Sequence, residues 1–378
     1  MKPDEEERNG TAGSPPDPVS LLTGRSAAHG RRPRLPAIQD AWTPRDPADP
    51  APEEQAPGPP PLPPLGRHPG PILPTDTFAA AGRKAMWPQV ARMVEREEAV
   101  RDPEQTDALK RYRVATRRLR AALRVFRDSY ARREIKPIRD GLSELADALG
   151  AVRDLDVRLE EVDRWGSAAG EETEVALARL RRSLAAQRRA AAATLARKLD
   201  GRAHRRLMVN LISFVTAVEP EVSVHAGPPD RAAQDRAASS VWAAYEQVRA
   251  YASMVRWADL PRLHSLRIDA KRLRYTLEFL GPLLGREKDA LVERLVALQD
   301  HLGALNDATL AVTAIRAFLG EQHASLTPEQ RAATLAYLGD RERELTRLRR
   351  SLGRAWRPVV GITFARQMAR AVVSRPRV

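Results

Sequence analysis

The chain has 378 residues, no cysteine and a formal net charge of +14. That length can bury a sizeable core without cross-links, and the lack of thiols excludes disulfides and thiolate metal sites while fitting a reducing compartment. Residues 1–76 hold 8 Lys+Arg against 11 Asp+Glu, which leaves 55 against 38 for the rest, so the basic part is the part expected to fold.

A basic excess of this size points to a polyanionic partner: nucleic acid, an anionic membrane or inorganic polyphosphate. Residues 1–75 contain 19 of the 30 prolines and few large apolar side chains. Such a segment buries too little apolar surface to offset its ordering entropy, and the expectation is a disordered Pro-rich tail. The start, Met-Lys-Pro-Asp-Glu-Glu-Glu-Arg, lacks the apolar stretch of a secretory signal. The longest apolar run, Leu207 to Val218, is interrupted by Asn210 and Ser213 and is shorter than the roughly 20 residues a bilayer span needs. A soluble, cytoplasmic protein without membrane association is expected.

From Thr77 onward apolar residues recur at helical spacing. Asp76 or Thr77 is positioned to cap a first helix running to about Val100, and Pro103 breaks the chain before a second, about Gln105 to Tyr130. A third begins near Ile138 and is expected to end at Leu149-Gly150. A fourth spans about Glu171 to Leu199, and a fifth, Arg202 to Val218, leads into a loop with Gly227-Pro228-Pro229.

Three blocks of this order return. Arg113, Arg117, Arg118, Leu119 and Arg120 match Arg267, Lys271, Arg272, Leu273 and Arg274 at an offset of 154 residues. Leu149-Gly150-Ala151-Val152-Arg153-Asp154 matches Leu302-Gly303-Ala304-Leu305-Asn306-Asp307 at 153, and Leu177 to Leu184 matches Leu345 to Leu352 at 168. The last step fits an insertion around Gln322 to Gln330. An internally duplicated all-α fold follows: two pseudo-symmetric antiparallel four-helix bundles, with a first half of about 77–200, a linker helix and loop of about 201–234 and a second half of about 235–372.

On the second helix Tyr112, Thr116, Leu119, Leu123 and Phe126 form an apolar stripe, and Lys110, Arg113, Arg117, Arg120 and Arg124 fall within about 80° of one another beside it. Solvated or paired charge is the ordinary explanation of such a row. It is weakened here because His264, Arg267, Lys271 and Arg274 share one face of the second copy, although Glu278 stands where the first has Arg124. Arginine forks and lysine point charges suit a ligand with regularly spaced phosphates. Arg181, Arg188 and Arg349 border the apolar stripes of their own helices and are weaker candidates. Arg118 and Arg272 lie off the basic face and are expected to be structural or inter-helix pairs.

No Gly-rich phosphate loop, zinc-protease motif or nucleophile elbow is present. His204 and His301 read as packing or helix-surface residues. Asp154 and Asp307 follow glycines expected to end helices, and capping or arginine pairing is favoured over a metal-binding role. Trp87, Trp242, Trp257 and Trp356 read as core or half-buried.

The paired blocks Lys110-x-x-Arg113-Val114-x-x-Arg117-Arg118-Leu119-Arg120 and His264-x-x-Arg267-Ile268-x-x-Lys271-Arg272-Leu273-Arg274-Tyr275-x-x-Glu278 resemble the signatures of the conserved histidine α-helical domain, or CHAD, family. The similarity covers about residues 77–372. The resemblance implies two helical bundles about a pseudo-twofold axis and a basic central groove or pore that binds inorganic polyphosphate, in some members at polyphosphate granules. The family's first histidine is Lys110 here, which keeps the charge and loses the pH dependence. The Glu-x-Glu-x-Lys strand of the triphosphate-hydrolysing domain fused to some members is absent. The expectation is a non-enzymatic polyphosphate-binding protein that needs no cofactor. A nucleic-acid-binding or packaging protein is the alternative, and a metal-dependent phosphohydrolase using Asp154 and Asp307 is a third reading.

Overall fold

Ten α-helices and three short 3-10 turns account for the regular structure of residues 62–102, 105–217, 232–322 and 325–373, which a computed structural model describes. The helices are α1 Phe78–Glu95, α2 Thr106–Val125, α3 Arg132–Ala169, α4 Glu171–Asp200 and α5 Arg202–Thr216, followed by α6 Ala233–Arg249, α7 Leu260–Phe279, α8 Lys288–Glu321, α9 Pro328–Val360 and α10 Ile362–Val373. The fold is all-α, and along the chain the helices fall into two series, α1–α5 and α6–α10. Lengths run in parallel: 18 and 17 residues for α1 and α6, 20 and 20 for α2 and α7, 38 and 34 for α3 and α8, 30 and 33 for α4 and α9.

Local chemistry fixes several starts. The Thr77 hydroxyl accepts from the Ala80 N–H at 3.0 Å, and Asp259 accepts from the Arg262 N–H at 3.0 Å. Thr327 and Gln330 close a reciprocal capping box ahead of α9, with Pro328 at its first position. The first and second helices stop earlier than expected, at Glu95 and Val125, and 3-10 turns over Ala99–Arg101 and Arg127–Ser129 follow.

Gly150 and Gly303 do not end helices. α3 and α8 run straight through them. A glycine inside a helix costs only about 1 kcal/mol, and the buried neighbours Leu149, Val152, Leu302 and Leu305 offset it. The helices therefore extend beyond the main core and form long hairpins with α4 and α9. At the first hairpin the chain reverses at Gly170, whose φ of +104° is a left-handed value suited to glycine.

The larger apolar core draws on both series: Tyr112, Leu119 and Leu123 of α2, Leu142 and Leu149 of α3, Leu266 and Leu273 of α7, Leu295 and Leu298 of α8, and Trp356 of α9. A smaller core of Val162, Leu180, Leu184, Ile315, Phe318 and Tyr337 joins the two hairpins. The starts of α1 and α6 are tied by the Ala233 N–H, which donates to the Asp76 carbonyl at 2.8 Å. α1 approaches the end of α2 so closely that a Cβ on Gly82 would run into Phe126 and the Tyr130 hydroxyl; that hydroxyl donates to the Ala79 carbonyl at 2.7 Å.

Residues 62–75 were expected in the tail, yet Leu62, Leu65 and Ile72 pack on the larger core. Residues 1–61, and the loop with Gly227-Pro228-Pro229, lie outside the described residues. Trp257 corrects another expectation: it is 81% exposed, with Arg256 beside its ring, while Trp356 is buried. α8 alone among the described helices is long and apolar enough to cross a membrane; here Leu291, Leu295, Leu298, Leu302 and Leu305 are buried in the protein core.

Candidate polyanion site

α2 buries Tyr112, Ala115, Thr116, Leu119 and Leu123, and that choice of face determines where its cations go. Arg113, Arg117 and Arg120 are left half-buried along the edge of the core, with Lys110 and Arg124 exposed nearer the two ends. α7 buries Leu263, Leu266, Ala270 and Leu273, which leaves Arg267, Lys271 and Arg274 half-buried and His264 exposed. The two helices pack against each other, so their basic edges meet.

At this junction Arg113, Arg117, Arg267, Lys271 and Arg274 lie within one another's fields. Burial, and then the charges of Arg267, Arg117, Arg113 and Arg274, push the Lys271 ammonium down to about 7. Burial followed by Arg117 lowers Arg113 as well, opposed by Asp154, whose carboxylate is 4.0 Å away. Among the described residues Arg117, Arg267 and Lys271 form no ion pair with a carboxylate, and the Arg117 Nε is buried without a hydrogen-bond partner. A half-buried group of cations held without counter-ions is destabilised by its own repulsion, and an anion that supplies several oxygens at once relieves it.

The flanking residues hold the junction in shape. Arg118 donates to Glu278 of α7 at 2.7 Å, and its guanidinium packs over the rings of Tyr275 and Phe279. Glu278 also lies 3.4 Å from the Nε of Arg274. The inter-helix role expected of Arg118 is what the structure shows. Arg272 differs, because it has no carboxylate partner among the described residues and its charge acts on Arg124. Arg120 donates to the Ser143 hydroxyl of α3 at 3.3 Å, and His264 Nδ1 is 3.4 Å from the Asn306 side-chain oxygen of α8.

The weaker candidates are engaged elsewhere. Arg188 is paired with the buried Asp156 at 2.7 Å, Arg181 with Asp163 at 2.7 Å, and Arg349 donates to the Ala258 carbonyl at 3.0 Å. Asp154 and Asp307 sit in the middle of α3 and α8, so neither caps a helix. Asp154 faces Arg113, and Asp307 accepts from the Asn306 amide at 3.3 Å. No group of three or more His, Cys, Asp or Glu arranged to hold a metal occurs among the described residues. His204 is buried, 3.4 Å from the Tyr112 hydroxyl and 3.7 Å from Glu97, and burial lowers its pKa. His301 is half-buried, its Nε2 2.9 Å from the Leu348 carbonyl oxygen.

Sequence reasoning missed two features. The nearness of Arg124 to Arg272 had a signal in the offset of 154, which maps Arg118–Glu278 onto Arg272–Arg124. Glu161 had none: it lies among Arg341, Asp307 and Glu344 from α8 and α9, and burial raises its pKa.

Fold and site together define an all-helical protein built around a cation-lined junction of two matched helices. The CHAD domain family model matches residues 84–316, and the chain belongs to that family. It is 29% identical over 256 residues to uncharacterized protein Rv2226 of Mycobacterium tuberculosis strain H37Rv, and equally to uncharacterized protein MT2285 of strain CDC 1551. Each match takes in 62% of this chain and 47% of the relative, so the chain spans about half the length of these curated relatives. Among solved structures, the CHAD domain of the plant Ricinus communis superposes with a TM-score of 0.55 at 23% identity, covering 76% of this chain and 96% of that one. PptA from Streptomyces chartreusis superposes with the same score at 17% identity, covering 74% and 99%. These two likenesses concern the fold.

Proposed function

We propose that the protein binds inorganic polyphosphate at the α2–α7 junction, as a binding module without catalysis of its own. The observation that carries this reading is the half-buried group Arg113, Arg117, Arg267 and Lys271, in which all but Arg113 lack a carboxylate partner among the described residues. Fixed guanidinium forks from two helices match a chain with phosphates at short, regular intervals. Duplex nucleic acid carries its phosphates on a wide, stiff cylinder, which a half-buried cluster reaches poorly. Family membership and the basic pore implied by the paired motifs support the same ligand. The expected site of action is the cytoplasm, at polyphosphate granules, which a fluorescent fusion tests.

Pull-down on polyphosphate at moderate salt is expected to lose the Arg113→Glu/Arg267→Glu variant. Retention equal to wild type removes the reading. Charge-matched DNA that displaces the protein more readily than free polyphosphate assigns the site to nucleic acid instead.

A further inference from the structure

The two long hairpins leave space between them. A cavity of about 330 Å³ lies between α4 and α8, with Leu180 and Leu184 on one wall and Ala311, Ala314, Ala317 and Phe318 on the other. The duplication shows where the room comes from. The offset of 153 that aligns Asp154 with Asp307 also aligns Glu161 with Ala314 and Arg164 with Ala317. On α3 those positions carry charged side chains, and Glu161 lies within the field of Arg341 of α9. On α8 they carry only methyl groups, so the matching space stays open and apolar.

The ends of the cavity differ from its walls. Arg158 is the one cation among the lining residues and Glu321 the one carboxylate. Arg158 is half-buried and forms no ion pair among the described residues. Gln187 of α4 lines the cavity near the same end, where Arg188 and Asp156 fasten α4 to α3. Glu321 is the last residue of α8 and marks the far end. Leu310, 38% exposed, gives the cavity access to solvent. An apolar pocket of a few hundred Å3 with a small number of polar groups at one place is the usual form of a small-ligand site. The separation of Arg158 from Glu321 gives this one a direction, because an anionic group is attracted at one end and repelled at the other.

We propose that the cavity binds a medium-chain fatty acid, with its carboxylate on Arg158 and its chain lying along Leu184, Ala314, Leu180 and Phe318 towards the hairpin tips. The fork of Arg158 supplies two donors to the carboxylate, and the alanine and leucine walls cover the methylenes. The site is remote from the α2–α7 junction in sequence and chemistry, and it does not depend on what that junction binds.

Calorimetric titration of the full-length protein with dodecanoate, below the concentration at which it forms micelles, tests this beside butanoate and 1-dodecanol. Wild type is expected to bind dodecanoate at a single site. Butanoate, which lacks the chain, and dodecanol, which lacks the charge, are each expected to bind at least about tenfold more weakly. Arg158→Gln is expected to lose about tenfold for dodecanoate and less than about threefold for dodecanol. Ala314→Phe fills the cavity and is expected to abolish binding of both, with a ligand-free Tm within about 3 °C of wild type. Should that variant unfold the protein, Ala311→Leu, a smaller filling, takes its place. A wild type that binds no dodecanoate, or a folded cavity-filling variant that still binds it, overturns the site. Butanoate that binds as tightly as dodecanoate reduces it to a surface anion contact and overturns it too. Dodecanol that equals dodecanoate, or an Arg158→Gln variant that binds dodecanoate like wild type, overturns the fatty-acid assignment.

Discussion

The arginines of the two long hairpins and those of the α2–α7 junction look alike in sequence, yet their surroundings are opposite. On the hairpins Arg188 meets Asp156, Arg181 meets Asp163, Arg316 meets Glu342, and Arg341 meets Asp340 and Glu344, all within 2.7 Å. At the junction Arg113, Arg117, Arg267 and Lys271 lie within one another's fields, and Arg124 lies within that of Arg272. The first arrangement is satisfied charge, and the second is charge whose counter-ion the proposed polyphosphate would supply. Abundance of arginine marks neither; the presence or absence of a carboxylate across the contact does.

The largest expected effect breaks the junction. Arg117→Glu combined with Lys271→Glu is expected to weaken polyphosphate binding by at least about a hundredfold in titration calorimetry. Arg181→Glu with Arg349→Glu on the paired side is expected to change it by less than about threefold.

Next comes stability. Arg188→Leu leaves Asp156 buried without its cation and is expected to cost on the order of 3 kcal/mol in denaturant unfolding, with binding at saturation retained. Lys271→Met is expected to act oppositely, raising the ligand-free Tm because it removes a confined charge, while weakening binding.

A smaller effect is set by pH. Lys271 has a folded-state pKa pushed down to about 7, whereas the unfolded chain keeps its proton to near 10.4. Between these values the unfolded state binds more protons, so ligand-free stability rises with pH there. Polyphosphate favours the charged ammonium, so affinity is fullest below about 7 and falls as pH rises above it, by at most about tenfold per unit for one proton. Lys271→Arg is expected to flatten that profile and keep the binding.

Much of this was legible in the sequence because it depends on periodicity. The apolar stripe of α2 and its repeat in α7 follow from helical spacing, and burying Leu119 and Leu273 places the cations beside them. Asp76 or Thr77 announced the first helix start, and Thr77 is the cap. Gly150 and Gly303 misled, because a glycine punctuates a helix only when tertiary packing lets it, and here buried Leu149 and Val152, and Leu302 and Leu305, carry the helices through. The pairing of Arg188 with Asp156 and of Arg118 with Glu278 was not assignable in advance: which carboxylate faces which arginine depends on how hairpins and helices cross, and no single helix records that. Trp257 was misplaced for the same reason, since an apolar residue in a connection is buried only if another element covers it.

The central claim is that the uncompensated cations of α2 and α7 form one anion site. Titration of the Lys271 amine by NMR, with and without polyphosphate, tests it most directly. The account predicts an amine that titrates near 7 in the free protein and moves upward by a unit or more, roughly, when polyphosphate binds. An amine that titrates in the ordinary lysine range, or one near 7 that polyphosphate leaves unmoved, contradicts it.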